Sequence, residues 1–158
     1  MTPTGPVPSQ STPVVDARLL WAGGAATALV AGLVAVVGVL IVEGVLNVTM
    51  VQPPLLPIGG SFPVRYALTA AVLALVATAV GHVIALTTPR PRAFFGWLLG
   101  LATAAACVLP FALEGSLGGQ VATSLVNLVI GVSVLSLLSS VLARTVRLPG
   151  PGYPPARL

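Results

Sequence analysis

The stretch TTPRPRAFFGW, residues 87–97, sets two prolines and two arginines between two long apolar runs. Pro89 and Pro91 lack the amide donor that a continuing helix needs, and each pushes the residue before it toward extended backbone. The chain must therefore leave one helix and enter the next within a few residues. Arg90 and Arg92 sit in that connection. A charged turn between two oily runs belongs at a membrane surface, and arginine accumulates in cytoplasmic loops. This turn is expected to face the cytoplasm.

Working outward, residues 19–42, 66–86, 93–113 and 121–143 carry no Asp, Glu, Lys or Arg. Each run meets the roughly 20 residues a helix needs to cross about 30 Å of hydrocarbon. In hydrocarbon every backbone N–H and C=O must be paired internally, so each run should be helical. Valine is abundant, but the period-2 alternation of a lipid-spanning strand is missing. We read spans at about 19–43, 63–87, 93–114 and 120–143, within a transmembrane domain 18–144. The fold class expected is all-α: an integral membrane, antiparallel four-helix bundle. The proline-rich flanks, 1–17 and 145–158, are expected to be disordered cytoplasmic tails.

Composition agrees. Of 158 residues, 56% are hydrophobic and only 6% charged, against roughly 25% charged in soluble domains. Mean hydropathy is +1.06. All seven basic residues are arginines. Arg18, Arg90, Arg92, Arg144, Arg147 and Arg157 fall on one side of a four-span chain, and Arg65 alone on the other. Both termini are thus expected in the cytoplasm, with the protein multi-pass in the cell membrane. Phe94, Phe95 and Trp97 should form an inner aromatic belt beside Trp21.

The same composition narrows function. Charge this sparse is not a nucleic-acid surface, which needs a clustered basic face. A lone cysteine, Cys107, excludes an intramolecular disulfide and a cysteine-paired metal site. There is no H-E-x-x-H, C-x-x-C, P-loop or G-x-S-x-G motif. His82 lies about 7 Å from the inner end of its span and Cys107 about 22 Å from the inner end of its own, so the two cannot cooperate. No catalytic residue, metal or cofactor is expected, and the chain is not read as an enzyme. The expected partners are the lipid bilayer and either a homo-oligomer or a larger membrane complex.

Membrane helices associate where small residues let backbones approach. Gly96, Gly100 and Ala104 recur at four-residue spacing, and this stripe is expected to pack the third helix. Gly24, Ala28 and Gly32 mark a similar face on the first helix; Ala70, Ala74, Ala77 and Gly81 mark one on the second. Pro110 should kink the third helix near its outer end. The apolar loop 44–62, broken by proline and glycine, should lie on the outer interface or over the bundle. Span four is the most polar. Its serines can bond their own helix, whereas Asn127 is costly to leave unpaired in lipid and should point into the bundle. Glu43, Arg65 and Glu114 fall at the outer ends of their spans. With Asn127 they form a candidate outer-interface polar cluster, with Arg65 between the two carboxylates. An ion-pair fastening is the favoured role for it, and a transport site the rival.

Arg18 before the first span, the Pro/Gly-broken loop at 53–60, the Pro-Arg turn at 89–92, Pro110 and the polar opening of span four around Asn127 form a pattern over residues 18–144. It resembles a family of actinobacterial four-span membrane proteins that carry a domain of unknown function. That resemblance implies an integral membrane bundle and no assigned activity. The chain is also similar to the small multidrug-resistance antiporters in having four spans and a glutamate in the first. Theirs is near mid-membrane, whereas Glu43 is near the outer edge. The reading is a non-enzymatic structural or accessory membrane component. The alternative is a small dimeric secondary transporter with an outer-side Glu/Arg site.

The topology is open to a direct check. In a Cys107→Ser background, intact cells treated with a membrane-impermeant thiol reagent should label a cysteine at Ser61 and spare one at Ser9. The opposite pattern would invert the assignment.

Overall fold

A computed structural model describes residues 14–15, 17–52, 60–88 and 91–147. Pro89, Arg90, the loop segment 53–59 and most of both expected tails lie outside the described residues. Four helices run in succession. The first, α1, spans Ala17–Val39 and continues as a wider, π-helical stretch over Leu40–Val45. There Leu46 N donates to Ile41 O at 3.0 Å, five residues back rather than four. Asn47 then takes a left-handed conformation (φ 52°), which asparagine tolerates better than most residues, and the chain turns out of the helix.

Helix α2 spans Phe62–Thr87 and ends where Thr88 is extended (φ −118°, ψ 135°), as the residue before a proline tends to be. Helix α3 spans Pro91–Val108. Pro91 occupies its first position, where a missing N–H is harmless. Helix α4 spans Leu117–Thr145. Ser116 caps it by accepting from Gly119 N at 3.1 Å, which satisfies one of the orphan amides of the first turn. All four helices are long and apolar enough to cross a membrane. Large apolar side chains such as Leu29, Leu33, Leu73, Leu101, Leu125 and Val132 face outward, as lipid permits and water does not.

Helix α1 is the spine. It packs lengthwise against both α2 and α4, and α4 packs against α3, while α2 and α3 meet only loosely. The residues that α1 buries are mostly small: Gly24, Thr27, Ala28, Ala31 and Ala35. The close contacts with α2 are Gly24 against Thr78, and Gly32 against Ala67 and Ala71. A methyl built on Gly24 would overlap the side chain of Thr78. On the α4 side, a methyl on Gly23 would lie 2.6 Å from Val141 Cγ2, and one on Gly38 would lie 2.7 Å from Val126 Cγ1. The small face expected on the first helix is where it approaches its neighbours; of the face expected on the second, Ala70, Ala74 and Ala77 line a cavity and Gly81 faces Phe95 and Leu142.

On α3 the expectation fails. No atom outside its own helix lies within 4 Å of a methyl built on Gly96 or Gly100, and Ala104 is exposed. Four-residue spacing shows that small residues share a face, but not that a neighbour covers it. The close approach on α3 comes at Thr103, which sits against Gly131 of α4 with no room for a methyl there. The aromatic belt also needs one correction. Phe94 and Trp97 are 60% and 76% exposed, but Phe95 is 1% exposed and packs against Gly81.

Two further departures concern the ends. Pro110 does not simply bend α3; the helix gives way to a tighter 3₁₀ turn over Leu109–Ala112. Inside the expected tails, Val14 and Val15 pair antiparallel with Arg147 and Val146. The loop after α1 lies over the bundle: Met50 and Val51 are buried, and Val51 N donates to Thr123 Oγ1 at 3.0 Å.

These contacts rank the glycines. Gly24→Leu should destabilise the bundle in detergent by about 2 kcal/mol, as overpacking of a tight core does. Gly100→Leu should change the melting temperature little. Equal losses from both would contradict the packing described.

Candidate functional site

The site begins with a missing hydrogen. In an α-helix the carbonyl of residue 106 accepts from the amide of residue 110, but residue 110 is proline and has none. Ala106 O is left unpaired at membrane depth, where an orphan carbonyl is costly. Asn127 of α4 supplies the donor: its Nδ2 reaches Ala106 O at 2.7 Å. The 3₁₀ turn that follows bonds three residues back instead of four, which frees Cys107 O as well. Ser124 Oγ donates to Cys107 O at 2.7 Å, and Cys107 Sγ approaches Ser124 O at 3.5 Å.

The asparagine then has an acceptor to spare, and Tyr66 of α2 donates its hydroxyl to Asn127 Oδ1. A polar strut therefore runs from α3 through α4 to α2. It lies toward the bundle end opposite the termini, here called the distal end. Of the other hydroxyls, Thr78, Thr103 and Ser133 each donate to the carbonyl four residues back in their own helix. They are satisfied locally and do not tie helices together.

Below the strut, α2 and α3 part. A cavity of about 400 Å³ opens between them with α4 as its floor. Small side chains make the space: Ala70, Ala74 and Ala77 on α2, Ala102 and Ala106 on α3, and Gly131 on α4. Larger ones rim it, Leu73 and Val76 on one wall and Leu98 and Leu99 on the other. Tyr66 and Asn127 line its distal end, and Val80 and Phe95 line the end toward the termini. On α2 (Tyr66 to Val80), and on α3 with the first residue of the 3₁₀ turn (Phe95 to Leu109), the lining covers fourteen steps, about 21 Å at 1.5 Å per residue. The groove is thus longer than the roughly 15 Å of one hydrocarbon leaflet, half the core thickness. Tyr66, Thr69, Thr103 and Asn127 supply its only polar side chains. This is an apolar groove with polar groups gathered mostly at one end, the usual build of a small-ligand site.

The structure treats the four members of the expected polar cluster differently. Glu43, Arg65 and Glu114 do stand at the distal ends of the first three helical segments, but among the described residues no ion pair joins them. Glu114 lies in the exposed turn after α3, where hydration serves it well. Glu43 Oε1 is approached by Met50 N at 3.4 Å, from the returning loop. Arg65 is half-buried, and its Nε is buried with no hydrogen-bond partner. Asn127 alone enters a network, and its partners are Tyr66 and Ala106 rather than the charges. Sequence reasoning missed Tyr66, Ser124 and Phe95. A signal for Ser124 and Asn127 was present, since Pro110 implies free carbonyls a turn earlier. Nothing in the sequence said which helix would answer them. Among the described residues no three His, Cys, Asp or Glu side chains gather as a metal site would require.

Four membrane-length apolar helices around a lateral apolar groove make this a multi-pass membrane protein. The chain belongs to a family of unknown function (DUF6069), whose model matches residues 15–144. No curated protein and no solved structure matches it.

The strut should be measurable. Asn127→Leu leaves Ala106 O and the Tyr66 hydroxyl without partners and should destabilise the bundle by about 1–2 kcal/mol. Tyr66→Phe should cost less, about 1 kcal/mol, and the two losses should not add, because both remove the same bond. Ser133→Ala, which breaks only a bond within its own helix, should be close to neutral. Additive losses in a double-mutant cycle would show that the Tyr66–Asn127 bond does not form.

Proposed function

We propose that this protein is a non-enzymatic accessory component of the cell membrane, with both termini cytoplasmic, that holds an apolar chain in the groove between α2 and α3. The observation that carries the reading is the groove itself: about 400 Å³, within the size range of small-ligand sites, and rimmed by the exposed apolar side chains of Leu73, Val76 and Leu98. A hydrocarbon chain is slender enough to fill the groove and needs no hydrogen bonds from the lining. The six-to-one split of the arginines supports the orientation, which makes the distal end the outer end. The lysine-free composition, rich in Ala, Val and Gly, supports the actinobacterial origin that the resemblance implies. The reading assigns no catalytic group, metal or cofactor, and its partners are lipid and other membrane chains.

Native mass spectrometry of the protein released from lipid nanodiscs tests this. A retained adduct of lipid mass is expected. It should fall several-fold in Ala102→Trp, where a large ring on an exposed wall position fills the groove without disturbing the core. An adduct unchanged by that substitution would place the lipid elsewhere. A stable homodimer whose proton-coupled flux is lost in Glu43→Gln would favour the transporter alternative instead.

A further inference from the structure

Arg65 remains unexplained by the bundle. Among the described residues it is the only arginine at the distal end. It is half-buried, its Nε is buried without a hydrogen-bond partner, and no carboxylate among the described residues pairs with it. An uncompensated guanidinium in a partly desolvated layer is costly unless something anionic meets it. Its position is specific. Arg65 directly precedes Tyr66, which lines the distal end of the groove. It lies one turn distal of Thr69, another lining residue, and residues four apart share a helix face.

A second feature points the same way. Arg65 lies in the first turn of α2, and Ser61 at the start of that helix makes no side-chain capping bond. Pro63 has no N–H and Arg65 N donates to Ser61 O at 3.1 Å, which leaves the amides of Phe62 and Val64 and the positive end of the helix dipole for an anion. Phosphate suits the pair: guanidinium offers a planar fork of donors to two phosphate oxygens, and the amides offer further donors. Arg65 is not itself a lining residue, but it and the start of α2 stand next to the distal end of a groove about 21 Å long whose walls are mostly apolar. The charge order matches a membrane lipid lying parallel to α2, head group distal and chain toward the termini.

We infer that the groove binds a lipid of the outer leaflet with an anionic phosphate head group, the chain lying between α2 and α3 and the phosphate meeting Arg65 and the first turn of α2. This rests on the groove reading above and adds the head-group chemistry to it. It also gives Arg65 a role distinct from the ion-pair fastening expected of it, since the partner is the ligand and not Glu43 or Glu114.

The experiment uses the full chain in nanodiscs of equal parts phosphatidylglycerol and phosphatidylcholine, with native mass spectrometry of the retained adduct. Both lipids carry a phosphate, but that of phosphatidylcholine is offset by its own ammonium, so the wild type should retain phosphatidylglycerol over phosphatidylcholine by roughly tenfold, the scale of one uncompensated charge-assisted contact. Arg65→Gln should keep a lipid adduct but bring the ratio close to one, and Arg65→Lys should restore part of the preference. Thermal melting in pure phosphatidylcholine discs, where no anionic lipid is present, should be little changed by Arg65→Gln. A wild-type ratio near one, or a preference untouched by Arg65→Gln, would overturn the head-group assignment while leaving the groove occupied. Absence of any lipid adduct in the wild type would sink the groove reading itself and this inference with it.

Discussion

A proline without its amide hydrogen organises the distal half of this bundle. Pro110 takes away the donor that Ala106 O would have in a continuous helix, and in hydrocarbon no water can replace it. The carbonyl is met by Asn127 at 2.7 Å, and Ser124 meets the neighbouring carbonyl of Cys107 at 2.7 Å. Both donors lie on α4, and both are fixed in place by what they satisfy. Once Asn127 is held by α3, its oxygen faces Tyr66 of α2. The need to pair one backbone group therefore sets the relation of three helices. A polar side chain in a membrane is often read as a functional signal; here the asparagine first answers a backbone deficit, and the groove is a consequence.

The two sides of the bundle follow different rules. Between α1 and its neighbours, glycine and alanine allow such close approach that a single added methyl at Gly23, Gly24 or Gly38 would collide. Lipid tails compete well for loose apolar contacts, so only tight approach distinguishes a protein neighbour from solvent. Between α2 and α3 the small residues face a gap instead. Phe95 lines one end of it, and Tyr66 with Asn127 the other. A gap of this kind is stable in a membrane because a lipid chain can fill it, whereas in a soluble protein the same walls would collapse or draw a partner. The tight side gives the fold its rigidity, and the loose side leaves the groove.

Much of the architecture was legible in the residues. Uncharged runs of membrane length located the four helices, and Pro89 and Pro91 marked the tight connection between α2 and α3. The packing face at Gly24, Ala28 and Gly32 was visible as periodicity. The inward direction of Asn127 followed from the cost of burying an amide. What escaped was relational. Gly96, Gly100 and Ala104 make as regular a stripe as any in the chain, yet α4 approaches one residue away, at Thr103, because Gly131 sits opposite that point. Phe95 reads as one of three interfacial aromatics, and only the glycine at position 81 makes room for it in the core. Glu43, Arg65 and Glu114 share a depth, but depth does not bring side chains together. Glu114 lies in an exposed turn, and Glu43 turns to its own loop. Periodicity and depth are properties of one helix at a time; the groove and the strut depend on which helices are neighbours.

The most direct test of this account is the separation of α2 and α3 across the groove. Spin labels placed at Leu73 and Leu98 in a Cys107→Ser background, in lipid nanodiscs, report that separation by double electron–electron resonance. A strut anchored on Ala106 O predicts a single narrow distance distribution that broadens when Asn127 is replaced by leucine. A distribution that is already broad with the asparagine in place, or identical without it, would contradict the claim that this side chain fixes the groove.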